Sequence, residues 1–122
     1  MVLMYHGTTS RRLPSILSEG LMGPTFLTRS RWLAVYYASL RARLEGGEPT
    51  VLLVRVGQEE LTPDEFGVSL TAGDECREWV VPGGLPAKRI AGVEPVDPSE
   101  EERVWGSARR VAQPEEVSHG HP

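Results

Sequence analysis

Glu78 and His6 are the side chains in this 122-residue sequence whose settings call for a chemical explanation. Glu78 lies in the short, largely apolar run REWVV (residues 77–81), where strand alternation groups it with Val80 and sets Arg77, Trp79 and Val81 on the other face. A carboxylate in that setting either keeps an edge strand soluble or supplies fixed negative charge to a site. His6 follows the apolar run VLMY (residues 2–5) and precedes Gly7, whose missing side chain lets a ligand come close to the backbone. A strand-end histidine on its own is structural more often than functional, so both residues take their meaning from what accompanies them.

The remaining chemically capable residues are weaker candidates. Cys76 is the only cysteine, which rules out an intramolecular disulfide or a cysteine metal cluster and leaves an ordinary thiol. His119 and His121 sit in an aperiodic tail with only Glu115 and Glu116 nearby, a poor ligand set, and no metal is expected. No GxGxxG or P-loop pattern occurs, which disfavours a Rossmann site or an NTPase. Arg11, Arg12, Arg29, Arg31, Arg41 and Arg43 crowd the first third, yet the net charge is −4. The chain as a whole offers no attraction to phosphate backbones, and these arginines read first as solvated helix faces.

The elements that must position these residues follow from pattern. Residues 2–5 read as a buried strand ending in a turn at residues 6–10. Leu13, Ile16 and Leu17 fall at helical spacing, with Pro14 in the first turn and Gly20 as the stop. A short strand (residues 25–28) precedes Ser30, which caps a longer helix whose apolar stripe is Leu33, Tyr36, Tyr37, Leu40 and Leu44. The run TVLLVRV (residues 50–56) predicts a central strand covered on both faces. Residues 61–66 read as a turn or short helix, 67–70 as a brief strand and 71–74 as a loop. Residues 77–81 and 90–96 read as strands, and a terminal helix after Pro98 uses Val104, Trp105, Ala108 and Val111.

Length and composition, with 39% hydrophobic and 25% charged residues, fit one globular domain. No apolar run approaches the ~20 residues that span a bilayer. Residues 1–112 are expected to form the domain and residues 113–122 a flexible tail. The N-terminal residues lack a basic stretch followed by a long apolar segment, so the expected location is cytoplasmic.

Taken in order, YHGTTSRRLPSILSEGL, TFLT, WLAVYYA and REWVVPGGLPAKRI resemble the ADP-ribosyltransferase superfamily, in the branch that groups diphtheria toxin with the poly(ADP-ribose) polymerases. The resemblance spans roughly residues 4 to 95. His6-Gly7-Thr8, the helix closing at Gly20, Phe26 with Tyr37 eleven positions later, and Glu78 on a strand match that branch's motifs in order. Phe26 stands where the family usually has tyrosine, and Ala34 where the polymerases have a serine that bonds the nicotinamide amide. The missing contact is worth about 1 kcal/mol net.

The resemblance implies an α+β fold of two packed, mainly antiparallel β-sheets with a split core and flanking short helices. It implies an NAD-dependent transferase, toxin-like or regulatory, that cleaves the nicotinamide–ribose bond and passes ADP-ribose to a protein, nucleic acid or small molecule. NAD would be a substrate rather than a resident cofactor. Glu78 would stabilise the cationic ribose, His6 would bond the adenosine ribose, and Gly7 and Thr8 would complete the strand-end motif. Phe26 and Tyr37 would sandwich the nicotinamide, with Tyr36 the alternative ring. Two other readings stand beside it: a catalytically silent module that binds NAD or ADP-ribose, supported by Phe26 and Ala34, and an enzyme like the NAD-dependent RNA 2′-phosphotransferases, supported by the arginine-rich first third. The sequence does not choose the acceptor, the oligomeric state or any antitoxin or regulator.

Overall fold

The β-branched run that marked residues 50–56 forms the backbone of the sheet. In the computed structural model, which describes residues 1–63 and 77–112, strand β3 (Pro49–Val56) pairs antiparallel with β1 (Val2–Thr9) from Val2↔Val56 to Thr9↔Pro49. Its other side carries β6 (Ile90–Pro95), with a register shift at Leu53/Val54. Val51, Leu52, Val54 and Val56 are completely buried, so β3 is an interior strand whose first half is covered on both faces.

A second, shorter set of strands completes the sheet. β2 (Thr25–Thr28) pairs with β5 (Glu78–Val81), and β5 pairs with the two-residue β4 (Thr62–Pro63). The order is β4-β5-β2-β1-β3-β6, one six-stranded antiparallel sheet where two packed sheets were expected. One junction in this sheet is short. Among the described residues, the ladder between β1 and β2 holds a single register pair, Tyr5↔Thr28. Two half-sheets therefore meet at a seam, because residues beyond that pair diverge instead of continuing the ladder.

β1 also runs past its expected end. His6, Gly7, Thr8 and Thr9 lie within the strand, held by β3 opposite them, and the turn comes later. Ser10 does not cap the following helix; its hydroxyl accepts from the Glu48 backbone N–H at 2.9 Å.

Helix α1 (Leu13–Glu19) covers one face of the sheet. Its Ile16 joins Met4, Leu27, Leu52, Val54, Val81 and Leu85 in the larger core. Gly20 ends it at a φ of 88°, a left-handed value that only glycine adopts cheaply, and donates to the Ile16 carbonyl at 2.8 Å.

Helix α2 (Arg31–Glu45) covers the opposite face, with the Ser30 hydroxyl capping it by accepting from Leu33 N–H at 3.2 Å. Its buried side is Leu33, Ala34, Val35, Ala38 and Ser39, a rotation away from the expected stripe of larger residues. The reason is Gly7. A Cβ there would collide with the Ala34 carbonyl oxygen and lie 2.7 Å from Ala38 N, so small residues let the helix backbone seat directly on β1.

Helix α3 (Pro98–Ala112) closes the second core with Val104 packed near Val51, Val96 and Val35. Trp105 Nε1 donates to Ser39 Oγ at 2.7 Å, and Ser39 in turn bonds Glu101. Arg31, at the start of α2, pairs with Glu94 on β6 and with Glu100 on α3, the latter at 2.9 Å. These half-exposed pairs contribute at most about 1 kcal/mol each, less than burial of Leu33, about 1.5–3 kcal/mol.

Candidate functional site

The seam sets the geometry. Beyond Tyr5↔Thr28, the His6 imidazole crosses the gap and Nδ1 donates to the Phe26 carbonyl at 2.8 Å. A carbonyl only accepts, so this bond fixes the proton on Nδ1 and leaves Nε2 as an acceptor when the ring is neutral. Burial pushes His6 below its ordinary value; the bond to Phe26 opposes this, while the charges of Arg41 and Arg12 reinforce it. The ring retains some solvent contact but is surrounded by protein, and its resting form near neutral pH is the uncharged one.

A cavity of about 520 Å³ opens on the α2 side of the seam. β1 contributes Tyr5, His6 and Gly7; β2 contributes Phe26 and Thr28; α2 contributes Ala34, Tyr37, Leu40 and Arg41; β5 contributes Glu78. Glu78 is 8% exposed and sits directly across the ladder from Thr28 on an interior strand. The edge-strand explanation for this carboxylate therefore fails. Trp79 and Val81 turn to the large core on the other face, as alternation requires.

A smaller cavity of about 320 Å³ lies beside the first, and His6, Pro24 and Arg41 line both. Thr8, Arg11, Arg12 and Ser15 belong to this second space.

Five of the residues singled out in the sequence, His6, Gly7, Phe26, Tyr37 and Glu78, thus meet at one cavity. Thr8 lines the neighbouring one. Tyr36 lines neither: its ring stacks on Trp32 at 5.7 Å and packs against Trp105 at 5.0 Å, which makes it part of the α2–α3 core. Gly7 has a packing reason for being glycine, the close approach of α2, in addition to its place in the site. Phe26 is 46% exposed, available to a ligand rather than spent on the core.

Sequence reasoning missed Tyr5, Thr28, Leu40, Arg41, Leu44 and Glu45, which also line the main cavity. Arg41 was detectable, because it stands four residues after Tyr37 and shares its helix face. Thr28 was not, because its position opposite Glu78 arises from long-range pairing. Residues 64–76, including Cys76 and the expected elements there, and residues 113–122, with His119 and His121, lie outside the described residues.

No protein-family model matches this chain, and no curated protein matches it. The functional reading therefore rests on sequence pattern and geometry. Among the described residues, no helix is long and apolar enough to cross a membrane, and no three His, Cys, Asp or Glu side chains are grouped to hold a metal.

Proposed function

We propose that this protein is an NAD-dependent ADP-ribosyltransferase whose reaction takes place in the main cavity. The observation that carries this reading is the meeting of His6, Gly7, Phe26, Tyr37 and Glu78, drawn from β1, β2, α2 and β5, around one cavity with the carboxylate buried beside it. The six-stranded antiparallel sheet with three helices is compatible with the α+β fold that the motif pattern implies; the specific transferase fold is part of the proposal.

In this reading the bond between nicotinamide N1 and ribose C1′ breaks, and its electron pair neutralises the pyridinium. Positive charge builds on the ribose, and the acceptor nucleophile then attacks C1′ and gives up a proton. Glu78 stabilises the cationic ribose, which it does most effectively in a cavity poor in water and while accepting a hydrogen bond from a ribose hydroxyl. Phe26 and Tyr37 orient the nicotinamide ring at small entropic cost. His6, with Nδ1 committed to Phe26, presents Nε2 as an acceptor for the adenosine ribose.

Incubating the purified protein with NAD and quantifying free nicotinamide tests this. Release that disappears in Glu78→Gln is the expected result; equal release by wild type and Glu78→Gln refutes the assignment. NAD binding without release by the wild type would support the silent binding module instead, the reading to which Phe26 and Ala34 lend weight.

A further inference from the structure

Tyr5, Thr28 and Glu78 form a row across three strands. Thr28 is the ladder partner of Tyr5 on β1 and of Glu78 on β5, so the three side chains leave the sheet side by side on the α2 face. Directly opposed residues of antiparallel strands stand about 4.5–5.5 Å apart at Cβ, and all three side chains line the main cavity. The proposed transfer chemistry uses only the last of them.

Thr28 is placed to act on Glu78. It is 4% exposed, and a hydroxyl so removed from water needs partners. Its Oγ1 accepts from the Ser30 N–H at 3.0 Å, and Ser30 is itself fixed as the cap of α2. A hydroxyl has one hydrogen to donate beside the lone pairs that accept. The bond from Ser30 therefore leaves that hydrogen for the cavity side, where the directly opposed acceptor is the Glu78 carboxylate. Branching at Cβ restricts the rotation of Thr28, so the start of α2 holds the hydroxyl in place before a ligand enters. Among the described residues, the other titratable or charged groups at this cavity are His6 and Tyr5 on β1 and Tyr37, Arg41 and Glu45 on α2. His6 is committed to Phe26 through Nδ1, and Glu45 to Arg12 and Arg41.

We propose that Thr28 is the positioning residue of Glu78, its hydroxyl donating to the carboxylate and aiming it into the cavity. The consequence for catalysis rests on the transferase reading; the geometry does not. A carboxylate held by a donor keeps its charge and direction while the ribose becomes cationic, and no reorganisation is needed at that moment.

Two measurements on the full chain test this, the first of them without NAD. In a titration of the Glu78 side-chain carboxyl followed by carbon NMR, Thr28→Val keeps the shape, removes the donor and should raise the midpoint by about one pH unit. Thr28→Ser, which keeps the hydroxyl, should stay close to wild type. In single-turnover nicotinamide release, Thr28→Val should be slower by about tenfold at unchanged NAD affinity, with Thr28→Ser again close to wild type. In the Glu78→Gln background the same valine substitution should have much less effect, because it acts through the carboxylate. An unmoved midpoint in Thr28→Val, a Thr28→Ser variant as impaired as Thr28→Val, or a loss fully additive with Glu78→Gln overturns the positioning role. So does a larger effect of Tyr5→Phe, which removes the hydroxyl one strand further from Glu78. Release by the wild type together with an unmoved midpoint removes Thr28 and leaves the transferase reading standing. A raised midpoint in Thr28→Val, in a protein whose wild type releases no nicotinamide, keeps the positioning of Glu78 and removes the transferase reading.

Discussion

The half-sheet β1–β3–β6 and the half-sheet β2–β5–β4 are held in different ways. The first is paired from end to end and sandwiched between α1 on one face and α2 with α3 on the other. The second has strands of four, four and two residues, and among the described residues its ladder to the first half is the single pair Tyr5↔Thr28, with the His6 side-chain bond to the Phe26 carbonyl beside it. The first half holds His6 and Gly7 in a fixed frame, while the second brings Phe26 and Glu78 up to it. A site built across a seam gains space where a ladder would otherwise fill it, and ligand sites commonly lie at such points of lower local stability.

Breaking the well-paired half should have the largest effect. Gly7→Val forces a side chain into the backbone of α2 at Ala34 and Ala38. Stability should fall by about 3 kcal/mol, which thermal unfolding would register as a drop of roughly 10 °C or more in Tm. An unchanged Tm would mean that α2 does not seat on β1 as described.

Ser39→Ala is next. It removes the group that accepts from Trp105 and bonds Glu101, leaving partners unsatisfied between α2 and α3. A loss of about 1–3 kcal/mol is expected from urea denaturation, with a neutral result excluding a stabilising role for this network.

The seam itself is read by pH. Burial holds His6 below its ordinary value near 6.5, so as pH falls the unfolded chain takes up the proton first. The stability contributed by neutral His6 is complete above about pH 6.5 and is lost as pH falls towards the folded-state value. In His6→Asn, which cannot titrate, the stability difference between about pH 5 and about pH 7 should shrink. An unaltered pH profile would show that this imidazole is not the group involved.

Phe26→Ala sharpens the contrast from the other side. With its ring 46% exposed, its loss should change stability by no more than about 0.5 kcal/mol, yet weaken NAD binding by roughly tenfold through lost stacking. Equal NAD affinity in isothermal titration would remove Phe26 from the site.

Much of this arrangement was legible in the sequence, for local reasons. Ser30 and Gly20 mark helix ends through hydroxyl capping and a left-handed backbone, and the alternation around Glu78 correctly divides that strand between cavity and core. What the sequence did not show depends on distant partners. β1 extends through Thr9 because β3 pairs with it there, a contact spanning some forty residues. The buried side of α2 consists of small residues because Gly7 admits its backbone, so the conspicuous stripe of Tyr37, Leu40 and Leu44 walls the cavity instead of filling the core. Leu44 is 84% exposed, although its spacing alone would have made it a core residue. The arginines of the first third divide in the same way. Arg43 lies over Trp105 and Arg31 ties three elements together, while Arg11, Arg12 and Arg41 gather at a cavity through Glu45. Charge patterning along one helix cannot disclose a cluster assembled from α2 and the turn between β1 and α1.

In the proposed function the seam cavity cleaves NAD with Glu78 as its charge-stabilising group. The most direct measurement takes NAD affinity and single-turnover nicotinamide release from the same preparations of wild type and Glu78→Gln. An interaction made mainly in the transition state predicts affinities that stay close while turnover falls by about a hundredfold or more. Undiminished turnover in Glu78→Gln, or a wild-type protein that neither binds nor cleaves NAD, would contradict it.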